Sequence, residues 1–228
     1  MRRIFGIATA IAALGSFTIA AGQGHIPPAP VFKSAELVSA SDVPIPFNSV
    51  ANGIVQVNAV IGKTGRVEGV DVVRELASVT EVTVAAVKKW EFTPGTMDGK
   101  PAVTRMAVAV VFCPPAVSSP QIVLQPLASP PGKGAANKHA IVPPNVISAE
   151  FPLNQTVVGG TVVLEAAVDP EGGLEYAKVV KDFPGLAAAA LRSVNEKWKF
   201  SPASLKGKPV ASKLIIAFAI RAPISNPI

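Results

Sequence analysis

Two stretches of the 228-residue sequence repeat each other, and any fold must accommodate both. Gly53-Ile54-Val55 through Val72-Val73-Arg74 aligns with Gly160-Thr161-Val162 through Val179-Val180-Lys181 at an offset of 107. After a one-residue slip, Lys89-Trp90-Glu91-Phe92-Thr93-Pro94 aligns with Lys197-Trp198-Lys199-Phe200-Ser201-Pro202, and Gly99-Lys100-Pro101 with Gly207-Lys208-Pro209. Both tryptophans of the chain occupy the same place in the two copies.

Each copy carries one set of periodicities. Val55, Val57, Ala59 and Ile61 alternate with Gln56 and Asn58, the period of a half-buried strand, and Val162, Leu164, Ala166 and Val168 do the same around Glu165. Gly62-Lys63-Thr64-Gly65 and Asp169-Pro170-Glu171-Gly172-Gly173 supply hairpin turns with glycine where φ is positive. Second strands are expected over Val67–Arg74 and Leu174–Lys181. Val79, Val82, Thr83, Ala86, Val87 and Trp90 then fall on one helical stripe, as do Ala187, Ala190, Leu191, Val194 and Trp198 with Asn195 as a polar exception. Pro94 and Pro202 keep those helices from continuing far beyond the tryptophans. Thr104–Phe112 and Ser212–Ile220 are apolar, β-prone runs expected as third strands. The fold class is therefore α+β. Two small two-layer β-β-α-β modules are expected, each a three-stranded antiparallel sheet with a helix on one face. Trp90, Phe92 and Pro94, with Trp198, Phe200 and Pro202, are the expected structural core.

The rest of the chain divides by composition. Arg2 and Arg3 precede an apolar run from Ile4 to Ala21, closed by small residues, which is a secretory signal pattern over 1–22. An uncleaved membrane anchor is the alternative, since the run approaches spanning length. Residues 23–42 read as a Pro-containing tail, 43–113 as the first copy, 114–144 as a Pro/Gly-rich linker, 145–222 as the second copy and 223–228 as a C-terminal tail. The 22 prolines, roughly twice ordinary usage, concentrate in these connections. The copies are expected to fold independently, each around its own core.

The ordered set strand, glycine turn, strand, helix, W-x-F-x-P, G-K-P, strand resembles the TonB C-terminal domain family. In the first copy it comprises Pro46, Gly53, Val55, Trp90, Phe92, Pro94, Gly99 and Pro101. In the second it comprises Pro152, Gly160, Val162, Trp198, Phe200, Pro202, Ala203, Gly207 and Pro209. A typical energy transducer of this family has one such domain behind an anchor and a long Pro-rich spacer; here there are two, and the main Pro-rich segment lies between them. The resemblance implies a periplasmic or cell-envelope protein that binds a protein or an extended peptide, with an outer-membrane transporter as the partner class. It also implies that the last strand of each copy accepts that peptide at a sheet edge. The matching positions are Thr104, Arg105, Met106, Ala107 and Val108, and Ser212, Lys213, Leu214, Ile215 and Ile216. Energy transduction in TonB-dependent transport, from a retained anchor, stands as the alternative function.

Enzymatic and metal chemistry find little support in the residue inventory. The single cysteine, Cys113, forms no intrachain disulfide, and His25 and His139 are too few and too isolated for a closed zinc site. Ser193 and Ser201 have no activating partner nearby in sequence. No catalytic residue, metal ligand or cofactor is expected. The net charge of +6 is dispersed, without the basic stripe and interleaved aromatics of a nucleic-acid surface. The membrane is expected as a contact only through an uncleaved signal segment, and the oligomeric state is left open. N-terminal sequencing of the exported protein is expected to begin near Gly22 or Gln23; recovery of an intact Met1 in the inner membrane would establish the anchor instead.

Overall fold

The computed structural model describes residues 31–113, 121–125, 127, 141–152 and 159–221. The expected signal peptide, His25, His139, most of the Pro-rich linker and the C-terminal tail lie outside the described residues. The described residues are α+β, mostly strand with two helices. In chain order the main elements are β1 (Gly53–Ile61), β2 (Val67–Arg74), α1 (Thr80–Val87), β3 (Thr104–Cys113), β4 (Gly160–Val168), β5 (Leu174–Lys181), α2 (Ala187–Lys197) and β6 (Ser212–Ile220). Each hairpin turn needs its glycine. Gly65 and Gly172 have φ of +83° and +89°, and a Cβ on either would strike the carbonyl of Phe92 or Phe200.

The two sets of three strands form one six-stranded sheet in the order β5-β4-β6-β3-β1-β2. Within each half the pairing is antiparallel. At the centre, β6 and β3 pair in parallel, from Leu214 opposite Ala107 to Ile220 opposite Cys113. Parallel pairing of equivalent strands places an approximate two-fold axis along the strands, so the halves present opposite faces. The packing shows this. Met106, Val108, Val110 and Phe112 pack with Ile215, Ala217, Ala219, Val87 and Trp90 on the α1 face. Leu214, Ile216, Phe218 and Ile220 pack with Ala107, Ala109, Val111, Val194 and Trp198 on the α2 face. Each core is thus lined by both halves, which corrects the expectation of two separately packed modules. A three-stranded half with one helix leaves the other face of its apolar third strand bare; sharing the central pair covers both of its faces.

Two further segments complete the cover. Glu36–Ser39 pairs with Glu91–Thr93, and Asn145–Ser148 with Lys199–Ser201, so that Leu37 stands opposite Phe92 and Val146 opposite Phe200. The Trp90 indole N–H donates to Ser41 O at 3.2 Å, and that of Trp198 to Glu150 O at 3.1 Å. Residues 31–46 and 141–152 are therefore equivalent straps, each pairing with its own half and crossing to the other. The tail expected over 23–42 is, from residue 31 onward, part of the packed structure; so are residues 121–125 and 141–144 of the expected linker. The tryptophans and phenylalanines of the expected core are buried, with Trp198 edge-on to Phe218 at 5.7 Å. Pro94 and Pro202 are half-buried against the turn glycines.

Because the cores share their central strands, thermal unfolding is expected as one cooperative transition. Trp198→Ala and Trp90→Ala should each lower the stability of the whole chain by ~3–5 kcal/mol. Calorimetry resolving two separable transitions, only one of them shifted, would contradict the shared cores.

Candidate functional site

The positions expected to hold a peptide, Thr104, Arg105, Met106, Ala107 and Val108 with Ser212, Lys213, Leu214, Ile215 and Ile216, lie on the two innermost strands. They are brought side by side, and the edge each would offer is taken by the other. All of them are buried except Arg105 and Lys213, which are partly exposed at the entrance to their strands. The expectation of free edges is thereby corrected, and the physical reason is visible in the composition. A half-covered edge strand alternates apolar with polar, whereas Met106–Cys113 and Leu214–Ile220 are apolar on both parities and require cover on both faces. Uncovering half a dozen such side chains at about 1.5–3 kcal/mol each is comparable with the entire stability of a domain, about 5–15 kcal/mol. The central pair is a permanent closure.

Lys213 fastens the halves instead, while Arg105 pairs within its own half. Lys213 Nζ lies 2.9 Å from Glu36 Oε1 of the first strap and 3.1 Å from Glu165 Oε1 on β4. Glu165, only 1% exposed, also receives Lys178 Nζ at 3.0 Å and the Tyr176 hydroxyl at 3.2 Å. Burial alone would lower the Lys213 pKa, but the hydrogen bonds it donates to Glu36 and Glu165 outweigh it and raise it. The hydrogen bond from Lys213 holds the Glu36 carboxyl below its ordinary 4.5. Ser34 Oγ accepts from Lys213 N at 3.3 Å and pairs with Ser212 Oγ at 3.0 Å. Lys181 Nζ lies 2.6 Å from Asp42 Oδ1 and donates to Ala40 O at 3.3 Å. Val43 N donates to Thr161 Oγ1, and the Arg221 guanidinium donates to Pro46 O.

The first half meets the second strap with different chemistry. Arg74, on β2, is buried, and among the described residues no carboxylate pairs with it. Its guanidinium donates to Gln125 O at 2.6 Å, Gln56 Oε1 at 3.3 Å and Val146 O at 3.3 Å, and its desolvation lowers its pKa. Gln56 Nε2 donates to Asn145 Oδ1 at 2.9 Å and its Oε1 accepts from Val146 N at 3.3 Å. Arg105 Nη2 stands 3.2 Å from Asp71 Oδ2, an ion pair lacking hydrogen-bond alignment; Arg105 Nε and Asn58 Oδ1 are buried with no hydrogen-bond partner among the described residues. Asn145 stands where the first strap has Glu36, and Asn58 where the second half has Glu165, so the fully paired network exists on one face only.

Nothing in this arrangement resembles a nucleophile with its base. The Ser193 hydroxyl donates to Glu150 O at 2.7 Å, and Ser201 Oγ accepts from Asn145 N. Burial pushes the Cys113 thiol pKa up, away from a reactive thiolate. Asp169 Oδ1 accepts from Glu171 N and Gly173 N, which closes the hairpin turn. The open edges of the large sheet are β2 and β5, with exposed Glu68 and Glu175. The straps are the functional-scale feature that the periodicity missed. Their signal was short: Leu37-Val38-Ser39-Ala40 and Val146-Ile147-Ser148-Ala149 match at an offset of 109. Among the described residues no helix is long and apolar enough to cross a membrane.

A family model described as Gram-negative bacterial TonB protein C-terminal matches residues 50–114 and 155–220, more than half of the chain and once in each half. Comparison with curated proteins and with solved structures gives no match.

The Glu36–Lys213 ion pair has a testable pH dependence. Because the folded pKa of Glu36 is depressed, its contribution is present above about pH 4.5 and is lost as pH falls through the lower folded value. Glu36→Gln is expected to lower stability at neutral pH by only ~0.2–1 kcal/mol, the range for a partly exposed pair. The difference from the parent should vanish in melts taken well below pH 4; a difference that persists there would mean that charge is not its source.

Proposed function

The chain belongs to the Gram-negative bacterial TonB C-terminal family, and from that membership we propose that it is an exported module that grips an extended segment of a protein partner. The family makes it a TonB-like protein of TonB-dependent transport, in the cell envelope. The family's domain is a non-enzymatic one whose usual partners are outer-membrane transporters. For this chain the proposed role is periplasmic binding by strand addition, as a soluble product of signal-peptide cleavage.

The observation that carries the reading is that the sheet seals its own centre and leaves two equivalent outer edges, β2 and β5. A strand added there gains backbone hydrogen bonds without breaking any existing pair, whereas addition at β3 or β6 must first open the shared cores. Both outer strands carry register irregularities against their neighbours and several charges, the devices that keep an edge from pairing indiscriminately. A photo-crosslinking residue at Glu68 or Glu175 is expected to capture an outer-membrane transporter in cells, and the same residue at Arg105 or Lys213 to capture none. Capture from Arg105 or Lys213 alone would return the contact to the inner strands. Failure to capture a transporter from all four positions would overturn the partner assignment.

A further inference from the structure

The two outer edges match in topology and differ in chemistry. On β5, Tyr176 stands opposite Ala167 of β4, and Ala167 is only 5% exposed. The Tyr176 hydroxyl donates to Glu165 Oε1 at 3.2 Å and accepts from Lys213. On β2 the same position is Gly69, opposite Val60 of β1. Among the described residues a Cβ on Gly69 would meet only Val60, in ordinary contact at 3.7 Å, so the place of the ring is open. Val60 is correspondingly half-buried where Ala167 is buried. Glycine inside a strand weakens it, and its use there marks a place where another group comes close.

The polar side chains around Gly69 lack what Tyr176 supplies in the other half. Asn58 stands at the place of Glu165, Asp71 at that of Lys178 and Arg105 at that of Lys213. Among the described residues Asn58 Oδ1 and Asp71 Oδ2 accept no hydrogen bond and Arg105 Nε donates none, although Arg105 Nη2 lies 3.2 Å from Asp71 Oδ2. Acceptors without a donor thus sit beside a donor without an acceptor. An added carboxylate would meet Arg105 but repel Asp71, and an added ammonium would leave Arg105 Nε unpaired. A hydroxyl both donates and accepts and carries no charge. Set on a ring, it would fill the open place and reach the unpaired atoms together.

Resting on the reading of β2 as a binding edge, we propose that this edge selects a partner strand bearing a tyrosine. The ring covers Gly69 against Val60, and the hydroxyl enters the cluster of Asn58, Asp71 and Arg105. The partner thereby supplies from outside the side chain that the second half carries as Tyr176. A ring laid across a strand glycine from the neighbouring strand stabilises the pairing. The β5 edge already holds its ring and makes no such selection.

The test uses the whole chain and peptides of sequence Thr-Val-Thr-Xaa-Thr-Val-Thr, blocked at both ends, with Tyr, Phe or Leu at the centre. Backbone amide shifts are followed by NMR through each titration. The Tyr peptide is expected to bind at β2 roughly ten-fold more tightly than the Leu peptide, the combined effect of a cross-strand aromatic pair and one hydrogen bond. The Phe peptide, which brings the ring without the hydroxyl, should fall between them. Gly69→Tyr, which gives the edge its own ring, should erase the difference between the Tyr and Leu peptides. Should that variant lose its cooperative melt, Gly69→Val fills part of the same place and carries the same comparison. Equal affinity of β2 for the Tyr and Leu peptides would overturn the selection while leaving β2 a binding edge. Absence of shifts at β2 with every peptide would overturn both readings. A tyrosine preference that appears at β5 instead, or that survives in the folded variant, would also overturn the proposal.

Discussion

The parallel ladder between β3 and β6 is the contact on which everything else rests. It joins strands that are third in each half, and because equivalent strands run the same way, the halves show opposite faces to each helix. Each helix then packs on its own three strands plus the inward parity of the other half's central strand. Without that ladder each half would be a three-stranded sheet with an apolar face open to water.

The straps follow from the same geometry. A sheet with one helix per face leaves half of each face bare, and the residues preceding each half supply the cover. They bring polar backbone over a largely apolar surface, so every crossing needs a side chain to meet it: Lys181, Thr161 and Lys213 on one face, Arg74 and Gln56 on the other. The two solutions differ in kind. On the first strap, carboxylates meet lysines around the buried Glu165; on the second, a desolvated arginine meets carbonyls. Arg74, by also donating to Gln125 O, holds the intervening segment against the sheet.

This closure changes how the family's domain can be used. The two copies cap one another at their last strands, and the open edges of the sheet are β2 and β5. Binding by strand addition is compatible with such a molecule only where no core must be opened first. The chain is a pair of family domains joined through their last strands, with the free sheet edges at β2 and β5.

The sequence by itself determined the local elements. Alternation at Val55–Ile61, the stripe from Val79 to Trp90 and the turn glycines are short-range patterns, and β2, β5 and β6 lie where those patterns put them. It also carried the family, because W-x-F-x-P and G-K-P recur in order. The two-sided apolarity of Met106–Cys113 and Leu214–Ile220 already argued against an edge, and the four-residue echo at Leu37 and Val146 marked the straps; both were legible but faint. Only the tertiary structure decided that the two third strands face each other, that Glu36 reaches Lys213 across 177 positions of sequence, and that Gln125 ends under Arg74. These are meetings between segments with no sequence periodicity in common, and a one-dimensional pattern holds no information about which of several apolar strands will lie beside which. That choice was made by the need to bury both faces of both central strands at once.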